Sequence, residues 1–199
     1  MKCCSNGIYG ARFGVYPMQD NFTELILNAV KASDRRNLAV ITDDLGTTVQ
    51  GGRRRVFDYV SEVIGRAFEP EGHSVANLLL SFGCDGDIPE TIPNDTDKPI
   101  TLDRQGRDKI YASCAWSYYP LGADTHLDVI EKAIAAVEHD DRLTITRAHY
   151  CTRLDGSLYD MLGALEKAFE TSASAGIHTV FHLTISKGSP SSLHKKINL

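Results

Sequence analysis

A chain of 199 residues, 42% apolar and 24% charged, has the composition of an ordinary globular protein and the length to bury a core in one large or two small domains. A formal net charge of −5 and the lack of a long basic stripe argue against nucleic acid as a partner. Five cysteines (Cys3, Cys4, Cys84, Cys114, Cys151) in no C-x-x-C spacing argue against a disulfide framework or zinc site. They fit a reduced, cytoplasmic protein, and no apolar run approaches a membrane span or a signal-peptide core.

In chain order, Ile8–Met18 alternates small and large residues and closes on the extended dipeptide Tyr16-Pro17, a strand. Asn21-x-x-Glu24 has capping-box form. Phe22, Leu25, Ile26, Ala29 and Val30 follow at helical spacing and predict a helix ending near Ser33. Two short strands, Leu38–Asp43 and Thr47–Gln50, lead to Gly51-Gly52. The stripe Val56, Phe57, Val60, Val63, Ile64, Ala67 and Phe68 predicts a second helix, stopped by Gly72. His73–Phe82 (HSVANLLLSF) is a fourth strand. The order βαββαβ is the ferredoxin-like unit.

Cys84–Arg107, with no apolar period, reads as an exposed linker. The order then repeats. Ile110–Leu121 ends in Tyr119-Pro120. Leu127, Ile130, Ala133, Ile134 and Val137 predict a helix, and Leu143–Ala148 and Cys151–Leu154 predict strands, with a turn at Asp155-Gly156. Leu158, Met161, Leu162, Leu165, Ala168 and Phe169 predict the last helix, with Gly176 past its end. Strand four is Ile177–Lys187 (HTVFHLTISK from His178), offset by 105 residues from His73. A polar, basic tail, Gly188–Leu199, is expected to fray. The expectation is an α+β protein of tandem ferredoxin-like (βαββαβ) repeats, with antiparallel sheets and helices on one face. Residues 1–84 form the first repeat, 85–107 the linker and 108–199 the second repeat with its tail.

Each strand-four copy has an apolar face and a face of hydrogen-bonding groups, the latter carrying Asn77 in one and His182 and Thr184 in the other. Arg12 and Tyr16 share a face, as do Ser117 and Tyr119. Those tyrosines either seal a sheet-to-sheet contact or offer an aromatic surface to a heteroaromatic ligand. Asp43-Asp44, before Gly46, either supports a turn or presents a carboxylate to an amine or a cationic ring. At offset 105, Asp44 corresponds to His149, followed by Tyr150. Arg53, Arg54 and Arg55 open a helix against its dipole and read as a solvated face, or as a contact for an anion or a partner. His178 and His182, at i, i+4 on a strand, stand roughly 13 Å apart, too far for one metal. No phosphate-loop, dinucleotide, zincin or nucleophile-elbow motif occurs.

The paired strands ARFGVYPM and CAWSYYPL, the segments TDDLGTTVQGG and RAHYCTRLDG, the FGCDGD start of the linker and the H-x-V strands together resemble the YkoF-type thiamin/hydroxymethylpyrimidine (HMP)-binding family. The resemblance spans nearly the whole chain. It implies a cytoplasmic homodimer of tandem ferredoxin-like repeats. Each repeat would bind one thiamin or HMP without catalysis, cofactor or metal, in functional association with a transporter for the pyrimidine precursor. An aminopyrimidine needs an acceptor and a donor on rigid strands. Asp43 or Asp44, Thr47, Thr48 and Asn77 can supply them in the first repeat, and His149, Thr152, His182 and Thr184 in the second. Two other readings stand beside it: a regulatory ligand-sensing module of ACT type, and a small enzyme using the same cleft.

Overall fold

The computed structural model describes residues 8–83, 106–138 and 140–191. The first half is β1 (Tyr9–Pro17), α1 (Phe22–Ala32), β2 (Leu38–Thr42), β3 (Thr47–Gly51), α2 (Arg53–Phe68) and β4 (Ser74–Phe82). The second is β5 (Tyr111–Leu121), α3 (His126–Glu138), β6 (Leu143–Ala148), β7 (Cys151–Ser157), α4 (Leu158–Ser174) and β8 (His178–Lys187). Apart from Gly106 and Arg107, the linker Cys84–Arg107 lies outside the described residues. So do Cys3, Cys4 and the tail beyond Ser191.

The two βαββαβ units share one antiparallel sheet of order β2-β3-β1-β4-β8-β5-β7-β6. Its seam is the duplicated strand paired with its own duplicate. Leu78 of β4 lies opposite Leu183 of β8, and these are equivalent positions at offset 105. A local two-fold axis therefore runs through that pair. Two further bonds cross the seam: Thr184 Oγ1 donates to Asn77 Oδ1 at 3.1 Å, and His73 Nε2 lies 3.2 Å from Ser186 Oγ.

The four α-helices among the described residues cover one face of the sheet, because the inward strand positions carry the apolar residues. Phe13, Val15, Ala76, Leu78, Leu80, Phe181, Leu183 and Ile185 are buried there. Beneath the seam α2 meets α4, with Phe57, Phe169 and Phe181 stacked edge to face at 5.8 and 4.9 Å. No described element covers the opposite sheet face, which carries Tyr16, Leu79, Tyr111 and Tyr119, each about half exposed among the described residues.

Three local expectations are corrected. Arg55, read as solvated, is 2% exposed. Its guanidinium donates to the Asp34 and Arg36 carbonyls at 3.0 Å, because α2 packs against the loop after α1. Arg53 crosses to the other repeat and pairs with Glu170 at 2.5 Å. Asp155-Gly156 is not a turn, since β7 runs on to Ser157. A Cβ at Gly156 would lie 2.6 Å from Leu143 Cδ2, and Gly51 makes the same close approach to Leu38 at 2.7 Å. Both glycines let a leucine of the neighbouring strand lie over the backbone. Asn21 caps α1 by position, but its side chain makes no capping bond.

Gly65 of α2 sits against the Tyr159 hydroxyl of α4, and Tyr159 is buried, so its ring has nowhere to swing. Gly65→Ala is expected to destabilise by about 1–3 kcal/mol through overpacking. Gly163→Ala, in open space within α4, should stabilise by up to about 1 kcal/mol through helix propensity. Urea unfolding of the two variants checks the pair of signs.

Candidate functional site

The apolar stripe of α1 is longer than its burial. Phe22, Leu25, Ile26, Ala29 and Val30 follow helical spacing, yet only Ala29 is buried. In α3 only Ala133 and Val137 are. The outer helix of each repeat stands away from the sheet at the end where the β2–β3 or β6–β7 hairpin turns. A hollow opens beneath it.

In the first repeat this recess measures about 370 Å3 and is walled by Phe13, Val15, Phe22, Ile26 and Val30. Its polar end is the hairpin, where Thr42, Asp44 and Thr47 border it. The hairpin is drawn tightly against β1, since a Cβ on Gly46 would lie 2.6 Å from the Phe13 carbonyl oxygen. The Thr42 and Thr47 hydroxyls lie 3.1 Å apart and satisfy each other.

The acid pair divides its duties. Asp43 Oδ1 accepts from the Leu45 and Gly46 amides at 2.9 and 3.0 Å, an Asx-type turn. It also accepts from Arg12 Nη2 at 2.8 Å. The Arg12 guanidinium, followed by these amides, holds the Asp43 carboxyl below the usual carboxylate range. Asp44 has no side-chain partner among the described residues and borders the recess.

In the second repeat two adjoining hollows, of about 310 and 530 Å3, share Ile130, Ile134 and Thr152. Trp116 takes the place of Phe13 as floor, each lying opposite a threonine, Thr152 or Thr47. Arg147 takes the place of Thr42, each being the hairpin partner of that same threonine. Tyr150 at the hairpin tip has φ 68°, rare for an aromatic residue. Ser117 Oγ donates to its carbonyl at 3.1 Å.

Of the residues singled out in the sequence, Asp43, Asp44 and Thr47 border the first recess and Tyr150 and Thr152 the second; Tyr16 and Ser117 also touch these recesses, although their strand positions alternate with the core and belong to the opposite sheet face. Arg12, Thr48, Asn77, Tyr119, His182 and Thr184 lie instead with the uncovered sheet face, on strand positions alternate to the core. There Arg12 Nη1 also donates to Thr48 Oγ1 at 2.8 Å. The second repeat sets Arg153, Asp155 and Ser113 on that face as a like cluster. His149 flanks the hairpin tip, its ring 6.3 Å from that of Tyr150. Sequence reasoning missed the helical walls (Phe22, Ile26, Ile130, Ile134) and Arg147. Superposing the two copies at offset 105 sets Arg147 on Thr42 and was the available signal. Cys114 is core, and burial pushes its thiol far above the usual range.

Residues 8–87 and 111–192 match the sequence profile of the YKOF-related family. A Bacillus subtilis (strain 168) protein named "Putative HMP/thiamine-binding protein YkoF" is 29% identical over 195 residues, covering 98% of this chain and 97% of that protein. The solved structure of protein SP2199 from Streptococcus pneumoniae is 25% identical, with a TM-score of 0.39, covering 44% of this chain and 97% of its own.

Because the Asp43 carboxyl titrates below its ordinary range, its pair with Arg12 is fully formed above that range and is lost as pH falls through the lowered value. Arg12→Ala should move the Asp43 titration upward toward the usual carboxylate value, read by NMR of the side-chain carboxyl carbon.

Proposed function

The chain belongs to the YkoF-related family, and from that premise we propose that it binds thiamin or its HMP moiety, one molecule per repeat, in the recesses under α1 and α3. The observation that carries the reading is the first recess: a preformed, apolar-walled hollow of about 370 Å3 with the carboxylate of Asp44, unpartnered among the described residues, at its polar end. Cofactor and ligand pockets typically occupy roughly 300–1,000 Å3 and are mostly apolar, with a few placed polar groups. A flat aminopyrimidine would lie between Phe13 and the α1 side chains. Its amine would donate to Asp44, and a thiazolium would find the same carboxylate. The B. subtilis relative, named for HMP and thiamine, supports this ligand class.

The protein acts as a carrier or buffer and leaves the ligand unaltered, needing no cofactor. It works in the cytoplasm, as an accessory to uptake or salvage of the thiamin precursor through a transporter. Among the described residues no helix is long and apolar enough to cross a membrane. Two copies associate through their uncovered sheet faces, where Tyr16, Leu79, Tyr111 and Tyr119 would otherwise leave apolar surface in water.

Calorimetry with thiamin and with HMP should show binding to the folded chain, with the ligand recovered unchanged by mass spectrometry. Absence of heat with both sinks the ligand assignment. Asp44→Asn is expected to weaken the first site by about tenfold, the cost of a lost charge-assisted hydrogen bond, with unfolding unchanged. Leu79→Asp, on the uncovered face, should convert dimer to monomer by light scattering without lowering the affinity of either recess.

A further inference from the structure

The two recesses are not copies in charge. In the first, Thr42 and Thr47 bond to each other, and the hairpin presents carboxylates. In the second, the position of Thr42 is Arg147, so the hydroxyl of Thr152 has lost its partner. Thr152 is 7% exposed, lines both hollows and has no side-chain partner among the described residues. Arg147 lines the larger hollow and forms no ion pair with any described residue, although Glu131 and Glu138 line the α3 side of that hollow. A guanidinium and a buried hydroxyl thus share one wall, and carboxylates border the other.

We propose that the second recess takes the phosphate-bearing form of the ligand: a phosphate monoester of the heterocycle, its phosphate held by Arg147 and Thr152. This rests on the ligand reading given above and refines it. An unpaired guanidinium matches phosphate oxygens by charge and by its planar donor fork, and a threonine hydroxyl adds a donor from the floor. Glu131 and Glu138, on the α3 wall of the same hollow, suit the amine or ring cation of the same molecule. The first recess has no cationic side chain along its hairpin and keeps the unphosphorylated form. The two halves would then discriminate by charge between two states of one vitamin.

Trp116 is the only tryptophan in the chain and lines the second recess, so its emission responds to a ligand entering there. The full chain is titrated with thiamin, with thiamin monophosphate and with inorganic phosphate, following tryptophan emission and heat together. The monophosphate should perturb Trp116 and bind the second recess at least about tenfold more tightly than thiamin, the gain of one charge-assisted contact. Arg147→Gln should abolish that preference, and Thr152→Val should reduce it, both leaving the thiamin heat of the first recess unchanged. Equal emission titrations by thiamin and its monophosphate, a preference that survives Arg147→Gln, or inorganic phosphate binding as tightly as the ester would each overturn the proposal. If thiamin heats the first recess while the monophosphate leaves Trp116 silent, the charge assignment fails and the binding function stands. No heat from any organic ligand removes both.

Discussion

Everything in this molecule depends on the pairing of β4 with β8. Strand β4 closes the first ferredoxin-like unit at one edge and β8 closes the second. Left alone, each would expose a row of backbone donors and acceptors to water or to another chain. Joining them antiparallel about the Leu78–Leu183 two-fold removes both edges at once. The same joint brings α2 and α4 together beneath the seam, where Phe57, Phe169 and Phe181 interlock and Arg53 reaches Glu170. The inner helices are therefore buried deeply. The outer helices, far from the axis, have no second layer to press them down.

That asymmetry explains where the recesses lie. A helix held from both sides closes on its sheet; one held from a single side leaves room under its free end. Most of α2 is buried, against a single alanine in α1. The space is set by the hairpin, and in the first repeat Gly46 lets the hairpin come against the β1 backbone. The recess is thus a by-product of the duplication, repeated because the geometry is repeated. Its chemistry is free to differ, because the hairpin residues that supply polar groups carry none of the central packing.

Much of this architecture can be read from the chain. Alternation in the two strand-four copies places Leu78, Leu80, Leu183 and Ile185 inward and Asn77 and His182 outward, and the structure agrees. The Tyr-Pro endings at positions 16 and 119 mark equivalent strands. Lateral pairing is not legible in this way. A strand's side chains say which face is buried but not which neighbour its backbone meets, so the union of two sheets into one is a property of the fold that the sequence pattern does not carry. The site was half legible for a related reason. Polar groups on a strand face suggest a cleft there, but the hollow forms on the apolar face, under helices whose stripes read simply as core. Asp44 and Thr152, singled out from the sequence, border the recesses because they sit at the hairpins, where both faces meet. Phe22 and Ile26 were not, because an unburied apolar stripe and a buried one have the same sequence. Gly156 misled for a different reason: after aspartate it resembles a turn, whereas its missing side chain makes room for Leu143.

Duplication followed by divergence at the hairpins has a physical logic. Substitutions on the seam must be matched across the two-fold, since equivalent positions face each other there and a change in one copy meets the other. Positions at the far ends of the sheet meet no such partner. Asp43 could become Ala148, and Asp44 could become His149, without consequence for Leu78 or Leu183. The same separation lets Arg12 engage Asp43 while the carboxylate of Asp44, one residue on, borders the recess with no partner among the described residues. A four-residue hairpin loop, Asp43 to Gly46, thereby serves two surfaces: one carboxylate anchors the turn to the sheet, and its neighbour is left to meet whatever enters the hollow.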